Sequence, residues 1–120
     1  MDANSPDPRG LEMYERVLGR PFTAQLTGVR EHTINHLFAE IWSRPQLSLR
    51  DRSLITIALL AAQGRADQLR DHIRGARSRG VPREDILEVM IHVAHYAGWA
   101  GGTSGQKIAE EVFAQETNSP

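Results

Sequence analysis

The chain has 120 residues, the size of one domain with a real core and too few for two. Its 14 Lys and Arg against 15 Asp and Glu leave a formal net charge of -1 at pH 7, so no global basic field draws nucleic acid or an anionic membrane. The absence of cysteine excludes disulfides, thiolate metal sites and thiol-based redox or nucleophilic mechanisms.

Met1 to Gly10, rich in Pro, Asp, Ser and Asn, bury too little apolar surface to offset ordering and are expected to form a mobile arm. Residues 11–115 are expected to be one domain and 116–120 a polar tail. The N-terminus has no apolar segment after its charges. The longest mostly apolar run, Leu54 to Ala62, is far shorter than the roughly 20 residues a bilayer requires. A cytoplasmic protein without a membrane partner is the expectation.

Leu11 to Leu18 is predicted to be a short helix with Leu11, Tyr14, Val17 and Leu18 on one side, stopped by Gly19 and Pro21. From about Thr23 to Ser43, Ile34, Leu37, Phe38 and Ile41 fall at helical spacing, and Pro45 prevents extension. Ser48, three residues before Asp51, is the N-cap of a helix whose run Leu54 to Ala62 is apolar on nearly every side, predicting the most buried helix of the chain.

After Gly64, a helix over Ala66 to Arg79 puts Leu69, His72, Ile73 and Ala76 on one stripe, so His72 is the polar member of an apolar face. Gly80 stops it, and Pro82, Glu84 and Asp85 suit the first turn of the next. That helix, about Pro82 to Ala97, buries Ile86, Val89, Met90, Val93 and Ala97, with Glu88, His92, His95 and Trp99 along another face. Gly98 to Gly105 reads as a glycine-rich loop, and Ile108, Ala109, Val112 and Phe113 mark a last helix. With no strand alternation or repeat, the class is all-α.

The segments Ile41-Trp42-Ser43-Arg44-Pro45, Leu47-Ser48-Leu49-Arg50-Asp51-Arg52-Ser53-Leu54, Leu69-Arg70-Asp71-His72-Ile73-Arg74-Gly75-Ala76, Gly80-Val81 and Tyr96-Ala97-Gly98 closely resemble the carboxymuconolactone decarboxylase family, a branch of the alkylhydroperoxidase-D-like superfamily. The resemblance runs from about Tyr14 to Phe113. It implies a compact subunit of about six helices, cofactor-free chemistry, a small carboxylate or lactone substrate, and a homohexamer built as a trimer of dimers. The peroxidase branch carries a Cys-x-x-Cys pair before its histidine; the matching positions here are Arg65 and Gln68, and only His72 remains. Two departures stand out. Trp99-Ala100-Gly101-Gly102-Thr103 follows the Tyr-Ala-Gly where the decarboxylases usually have a Pro-Ala-Ala-Asn-like turn, and His95 replaces a commonly aliphatic residue.

The reaction this resemblance implies converts 4-carboxymuconolactone to the β-ketoadipate enol-lactone and CO2 in aromatic catabolism. Charge spreads into a dienolate before a carbon is reprotonated, so the enzyme needs a cation and an acid. His72 is the candidate acid/base, with a satisfied packing histidine as the plain alternative. Arg44, Arg50 and Arg52 flank the start of the apolar helix, and a guanidinium clamps a carboxylate by two parallel hydrogen bonds; ordinary surface ion pairs are the alternative. His72, Glu40 and Arg52 form the expected catalytic set, with Arg52 as the clamp. Glu40, one turn before Arg44, can orient an arginine or set a histidine's protonation, or it is a surface i,i+4 pair contributing only about 0.2–0.5 kcal/mol.

Trp42, His92, His95, Tyr96 and Trp99 are candidates to line the substrate pocket or an interface. Glu88, His92 and His95 lack the further ligands a zinc site requires, and His32 with His36 is weaker still, so neither metal nor cofactor is expected. The glycine-rich segment matches neither a P-loop nor a dinucleotide fingerprint; close backbone approach beside Trp99 is its expected use. Two rival functions remain: a family member acting on another carbonyl-stabilised carbanion, and a non-catalytic oligomeric binding protein that keeps the fold.

Overall fold

The computed structural model describes residues 5–117. Among these the chain forms six helices and no strand: α1 (Pro8–Leu18), α2 (Val29–His32 continuing as Thr33–Ile41), α3 (Leu49–Gln63), α4 (Ala66–Ser78), α5 (Arg83–Tyr96) and α6 (Trp99–Thr117). The all-α class follows, and the boundaries differ from expectation at three places with physical causes.

The first is the N-terminus. Asp7 caps α1 by accepting the Arg9 N–H, and Pro8 takes the first helical position, where its missing N–H costs nothing. The preceding segment is tied to α2: the Asp7 N–H donates to Asn35 Oδ1 at 2.7 Å, and Asn35 Nδ2 donates to the Ser5 carbonyl at 3.1 Å. Of the predicted arm over residues 1–10, Pro8 to Gly10 are therefore helical, and residues 1–4 lie outside the described residues.

The second is α2. Its helix begins at Val29 rather than about Thr23, and from Thr33 to Ile41 it winds as a π-helix, ending with the Trp42 N–H on the Leu37 carbonyl at 3.0 Å. The wider turn changes which residues face inward. Ile34, Phe38, Ala39 and Trp42 are buried, whereas Leu37 is exposed and Ile41 half-buried. Leu37 and Ile41, expected on the core face, are thereby freed for a surface cleft.

The third is the glycine-rich stretch. Gly98, with φ of 129°, makes the turn between α5 and α6, but Trp99 to Gly105 is helix and not loop. A Cβ at Gly102 would stand 2.6 Å from the Ala94 Cβ and 2.7 Å from the Met90 carbonyl, so the missing side chain lets α6 lie directly against α5. Close backbone approach was the expected use; the helical state was not. The last helix also runs to Thr117, where Glu116 is held by Arg77 at 2.9 Å and Arg83 at 3.0 Å; 118–120 of the predicted tail lie outside the described residues.

Two hydrophobic clusters result. The larger joins α3 to α6 through Ile57, Ala61, Leu69, Ile73, Ile86, Met90, Val93, Ala109, Val112 and Phe113. The smaller joins α1 to α2 through Val17, Leu18, Phe38 and Trp42, with Tyr14 against it. Helix α3 departs from the prediction that it is the most buried: Ile57 and Ala61 are covered, but Ile55 is 47 % and Leu59 55 % exposed. The all-round apolar sequence meets neighbours on one side only.

The clusters are bridged where α1 crosses α4 at Gly75, whose absent side chain makes room for the Val17 carbonyl and the Leu18 Cα. A Cβ there would overlap backbone that cannot rotate away. Gly75→Ala is therefore expected to destabilise the fold by about 1–3 kcal/mol or more, although alanine favours an isolated helix. Urea unfolding checks this, and an unchanged midpoint would mean that α1 is not seated on α4 in solution.

Candidate active site

Helix α4 places His72 at the margin of its buried stripe, and α2 brings Trp42 over it: the rings stack with centroids 6.1 Å apart and planes 21° apart. Trp42 is in turn stacked on Phe38 at 5.7 Å, Phe38 is edge-on to Tyr14 at 5.3 Å, and Tyr14 is edge-on to Phe22 at 5.3 Å. His72 thus closes a run of five rings spanning α1, α2 and α4. Its Nδ1 is buried and has no hydrogen-bond partner among the described residues.

Burial is the main cause that pushes the His72 pKa down, to about 4; Asp71 opposes it and Arg79 adds to it. Asp71 is itself engaged, by Arg20 at 2.8 Å and Arg74 at 3.5 Å. The imidazole is therefore neutral at physiological pH, able to accept a proton but not charged beforehand.

Trp42 also lines an open cleft of about 220 Å³, walled by Leu37, Ile41, Leu47, Ile55 and Thr56, with Arg52 as its cation. Arg52 is held by donating Nη2–H to the Arg44 carbonyl at 3.2 Å; its Nε is buried without a partner, and it forms no ion pair with a carboxylate among the described residues. A guanidinium without a counter-ion, set in an apolar cleft beside an indole, is a receptor for a carboxylate. The π-helical turn makes this cleft, since it turns Leu37 and Ile41 outward while keeping Trp42 in.

The remaining candidates are placed elsewhere. Arg44 contributes its backbone carbonyl to Arg52. Arg50 forms an ion pair with Asp85, in a cleft with Leu54, Glu88, Val89 and His92. Glu40 is exposed and stands 3.5 Å from His36, one turn away on the same helix. His92 stacks on Tyr96 at 4.7 Å. His95, whose Nδ1 lies 2.7 Å from the Ile91 carbonyl, meets Trp99 edge-on at 5.2 Å in a separate small cleft against α6. The predicted face of Glu88, His92, His95 and Trp99 is thus divided between two clefts, and among the described residues no three His, Asp or Glu gather as a metal site.

Two residues near His72 went unread in the sequence. Ser53 is fully buried at the start of α3, and Arg79, half-buried at the end of α4, donates Nη2–H to the Ser53 hydroxyl. A polar residue opening an apolar run, and an arginine seven positions after His72, are the signals that mark them.

The depressed His72 pKa makes stability depend on pH in a defined direction. Unfolded, the ring takes a proton near its ordinary value of 6.5; folded, it resists until about 4. Between those values the unfolded chain binds more protons, so stability falls as pH drops from about 6.5 towards 4 and is fully present above that window. The loss amounts to at most about 3 kcal/mol. Urea unfolding at about pH 7.5 and pH 5 should show it, and His72→Leu should lack this component; an equal slope in both proteins would show that His72 is not what resists acid.

The chain is similar in sequence to known proteins over most of its length. The model of the Carboxymuconolactone decarboxylase family matches residues 28–111, which contain the cleft, His72 and both aromatic–histidine pairs. A 4-carboxymuconolactone decarboxylase from Acinetobacter baylyi is 43% identical over 113 residues, covering 88% of this chain and 84% of that protein. The nitrosuccinic acid decarboxylase npaB of Metarhizium robertsii is 34% identical over 94 residues, 77% of this chain and 64% of its own length. An uncharacterised 15.0 kDa protein of Paracoccus denitrificans is 28% identical over 81 residues, 66% of this chain and 60% of its own. With the helical architecture and the matched span together, the chain belongs to the carboxymuconolactone decarboxylase family.

Proposed function

We propose that this chain is a cofactor-independent carboxy-lyase that converts 4-carboxymuconolactone to the β-ketoadipate enol-lactone and CO2. The observation that carries the reading is Arg52, a cation without a carboxylate partner among the described residues, in an apolar cleft lined by Trp42, the ring stacked on the neutral His72. The name of the 43% identical relative supports the substrate.

In this reading Arg52 grips the carboxylate that the substrate keeps, and the departing carboxylate lies against the apolar wall. Poor solvation there favours loss of its charge as CO2. The bond from the carboxyl carbon to the ring carbon breaks, its electron pair enters the C=C–C=O system as a dienolate, and a proton delivered to the carbon next to the lactone carbonyl completes the reaction. His72 is the proton carrier. A substrate anion close to the ring favours its charged form and counters the burial that keeps it neutral when the cleft holds none.

A second substrate class is favoured by one observation: the relative named as a nitrosuccinic acid decarboxylase belongs to the same sequence neighbourhood. Decarboxylation to another stabilised carbanion needs the same cation and proton carrier, with a different cleft wall. Arg44 is assigned the support of Arg52 through its backbone carbonyl, Glu40 and Arg50 the pairs with His36 and Asp85 outside the cleft lining, and His92, His95, Tyr96 and Trp99 a second aromatic patch that completes the pocket or meets another subunit. A cytoplasmic place in a pathway of aromatic catabolism goes with this reading; no helix among the described residues is long and apolar enough to cross a membrane.

The exposed Leu37, Leu47, Ile55 and Leu59 edge or adjoin the cleft and form an apolar surface suited to a second copy, so the assembly is assigned as a homo-oligomer, a hexamer of three dimers. Sedimentation should report a multiple of the 13.4 kDa chain mass; a monomer at micromolar concentration would remove subunit contact from the cleft.

His72→Gln keeps approximate size but cannot exchange a proton near neutral pH, so turnover of 4-carboxymuconolactone should fall about 10²- to 10⁴-fold with the fold intact. Wild-type turnover in a folded variant rejects the proton-transfer role, and wild-type protein inert towards this substrate supports the other readings. Arg52→Lys keeps the charge but loses the two-pronged grip, and should raise KM more than it lowers kcat.

A further inference from the structure

Helix α3 carries a side that the rest of the chain leaves uncovered. Asp51, Ile55, Leu59 and Ala62 recur at spacings of four, four and three, which sets them along one stripe of the helix, and all four are exposed. Ser53, Ile57 and Ala61, on the opposite side, are the residues that α3 buries in the body. The stripe runs beside the candidate site. Arg52, Ile55 and Thr56 line the cleft, and Leu59 stands one turn beyond Ile55, outside that lining.

The two ends of the stripe carry opposite charges. Asp51 lies in the first turn of α3 and Arg65 directly after its Gly64 C-cap; both are exposed, and neither forms an ion pair among the described residues. Roughly 20 Å of helix separates them, so they cannot meet within one chain. A second α3 laid antiparallel on the stripe brings each Asp51 beside the end that carries the partner's Arg65, and sets the positive end of each helix dipole beside the negative end of the other. A parallel arrangement would instead oppose Asp51 to the partner's Asp51 and Arg52 to the partner's Arg52. With Ile55 against the partner's Leu59, Arg52 falls opposite the partner's Ala62, a side chain too small to fill the cleft, and the two Arg52 residues stand about 15 Å apart along the helices.

We propose that α3 is a self-pairing face: two copies of this chain join antiparallel through Ile55, Leu59 and Ala62, with reciprocal Asp51–Arg65 pairs, and the partner's Leu59 roofs the Arg52 cleft. One stripe supplies both charges and both halves of the apolar contact, which is the self-complementarity that a two-fold interface requires. The functional part rests on the reading of the Arg52 cleft as the substrate site. That cleft is open within one chain; an apolar roof excludes water from it, which strengthens the grip of Arg52 on a carboxylate and extends the poorly solvating wall that favours loss of CO2.

The test is sedimentation of the full-length protein over a dilution series, with circular dichroism to confirm the fold. Leu59→Asp, at a position already 55 % exposed, should fold and should reduce the assembled mass by at least half. Asp51→Arg and Arg65→Asp should each raise the dissociation concentration about tenfold at low salt, since each turns two attractive pairs into two repulsive ones, and the double swap Asp51→Arg with Arg65→Asp should recover most of the loss. The swap separates a contact between these two residues from a general effect of charge, and it decides the matter where Leu59→Asp does not fold. In the dissociated Leu59→Asp protein KM for 4-carboxymuconolactone should rise, although Leu59 does not line the cleft of its own chain.

A wild-type monomer, an unchanged mass in folded Leu59→Asp, or single reversals that the swap does not repair would overturn the pairing; an assembly insensitive to all of them would be held by another face, such as the exposed Ile91, Tyr96 and Trp99. An unmoved KM in dissociated Leu59→Asp would overturn the roof. Sedimentation needs no substrate. Wild-type protein inert towards 4-carboxymuconolactone would therefore reject the substrate reading, while the masses alone still decide whether α3 pairs with itself.

Discussion

The run of rings from Phe22 through Tyr14, Phe38 and Trp42 to His72 is the interaction on which the arrangement depends. It belongs to the smaller of two hydrophobic clusters, and its last contact, Trp42 on His72, joins the α1–α2 layer to α4, as does the crossing of α1 at Gly75. Each ring contact adds roughly 0.5–1.5 kcal/mol beyond area burial, so the ladder stiffens that layer and ties its end to α4. Its last member is also the candidate proton carrier. The imidazole is thereby buried by the same contact that holds the fold, and its reluctance to charge is a consequence of packing rather than of a dedicated polar network.

The π-helical turn of α2 is the second part of this arrangement. A regular α-helix over the same residues would direct Leu37 and Ile41 inward with Ile34 and Phe38, as the periodicity predicts. The wider winding keeps Trp42 under the stack and releases Leu37 and Ile41 to wall the cleft opposite Ile55 and Arg52. Structure and candidate site are coupled here: the backbone irregularity produces both the buried face of the indole and the open surface beside it.

Much of this was legible in the residues. His72 was visible because it is the polar member of an apolar stripe, and Ser48, Gly64 and Gly80 marked real helix ends. Other features were not, for reasons that are physical. Hydrogen-bond spacing in α2 is not a side-chain property, so no periodicity announces the π-helix. Gly101, Gly102 and Gly105 look like loop residues because propensity counts only their cost in an isolated helix, while their benefit is the contact with α5. Apolar composition indicated that α3 would be covered, but not by what; within this chain Ile55 and Leu59 stay about half exposed. Ser53 and Arg79 were missed because each is ordinary alone and acquires meaning only from the other.

Burial outweighs charge at His72, where Asp71 favours a proton and Arg79 opposes one, and this bears on how a proton can be used in the proposed reaction. An imidazolium waiting in an empty cleft would be a strong attractor for any anion and would bind substrate and solutes alike. A neutral ring discriminates less in the unliganded state and more in the liganded one, because its protonation becomes favourable when a substrate carboxylate lies close enough to offset the apolar surroundings. Asp71, whose charge favours a proton on the ring, is already engaged by Arg20 and Arg74, and Arg52 faces the open cleft with no carboxylate partner among the described residues. In the proposed reaction the ring's charge state therefore depends on occupancy, because the substrate anion supplies the compensation that burial denies.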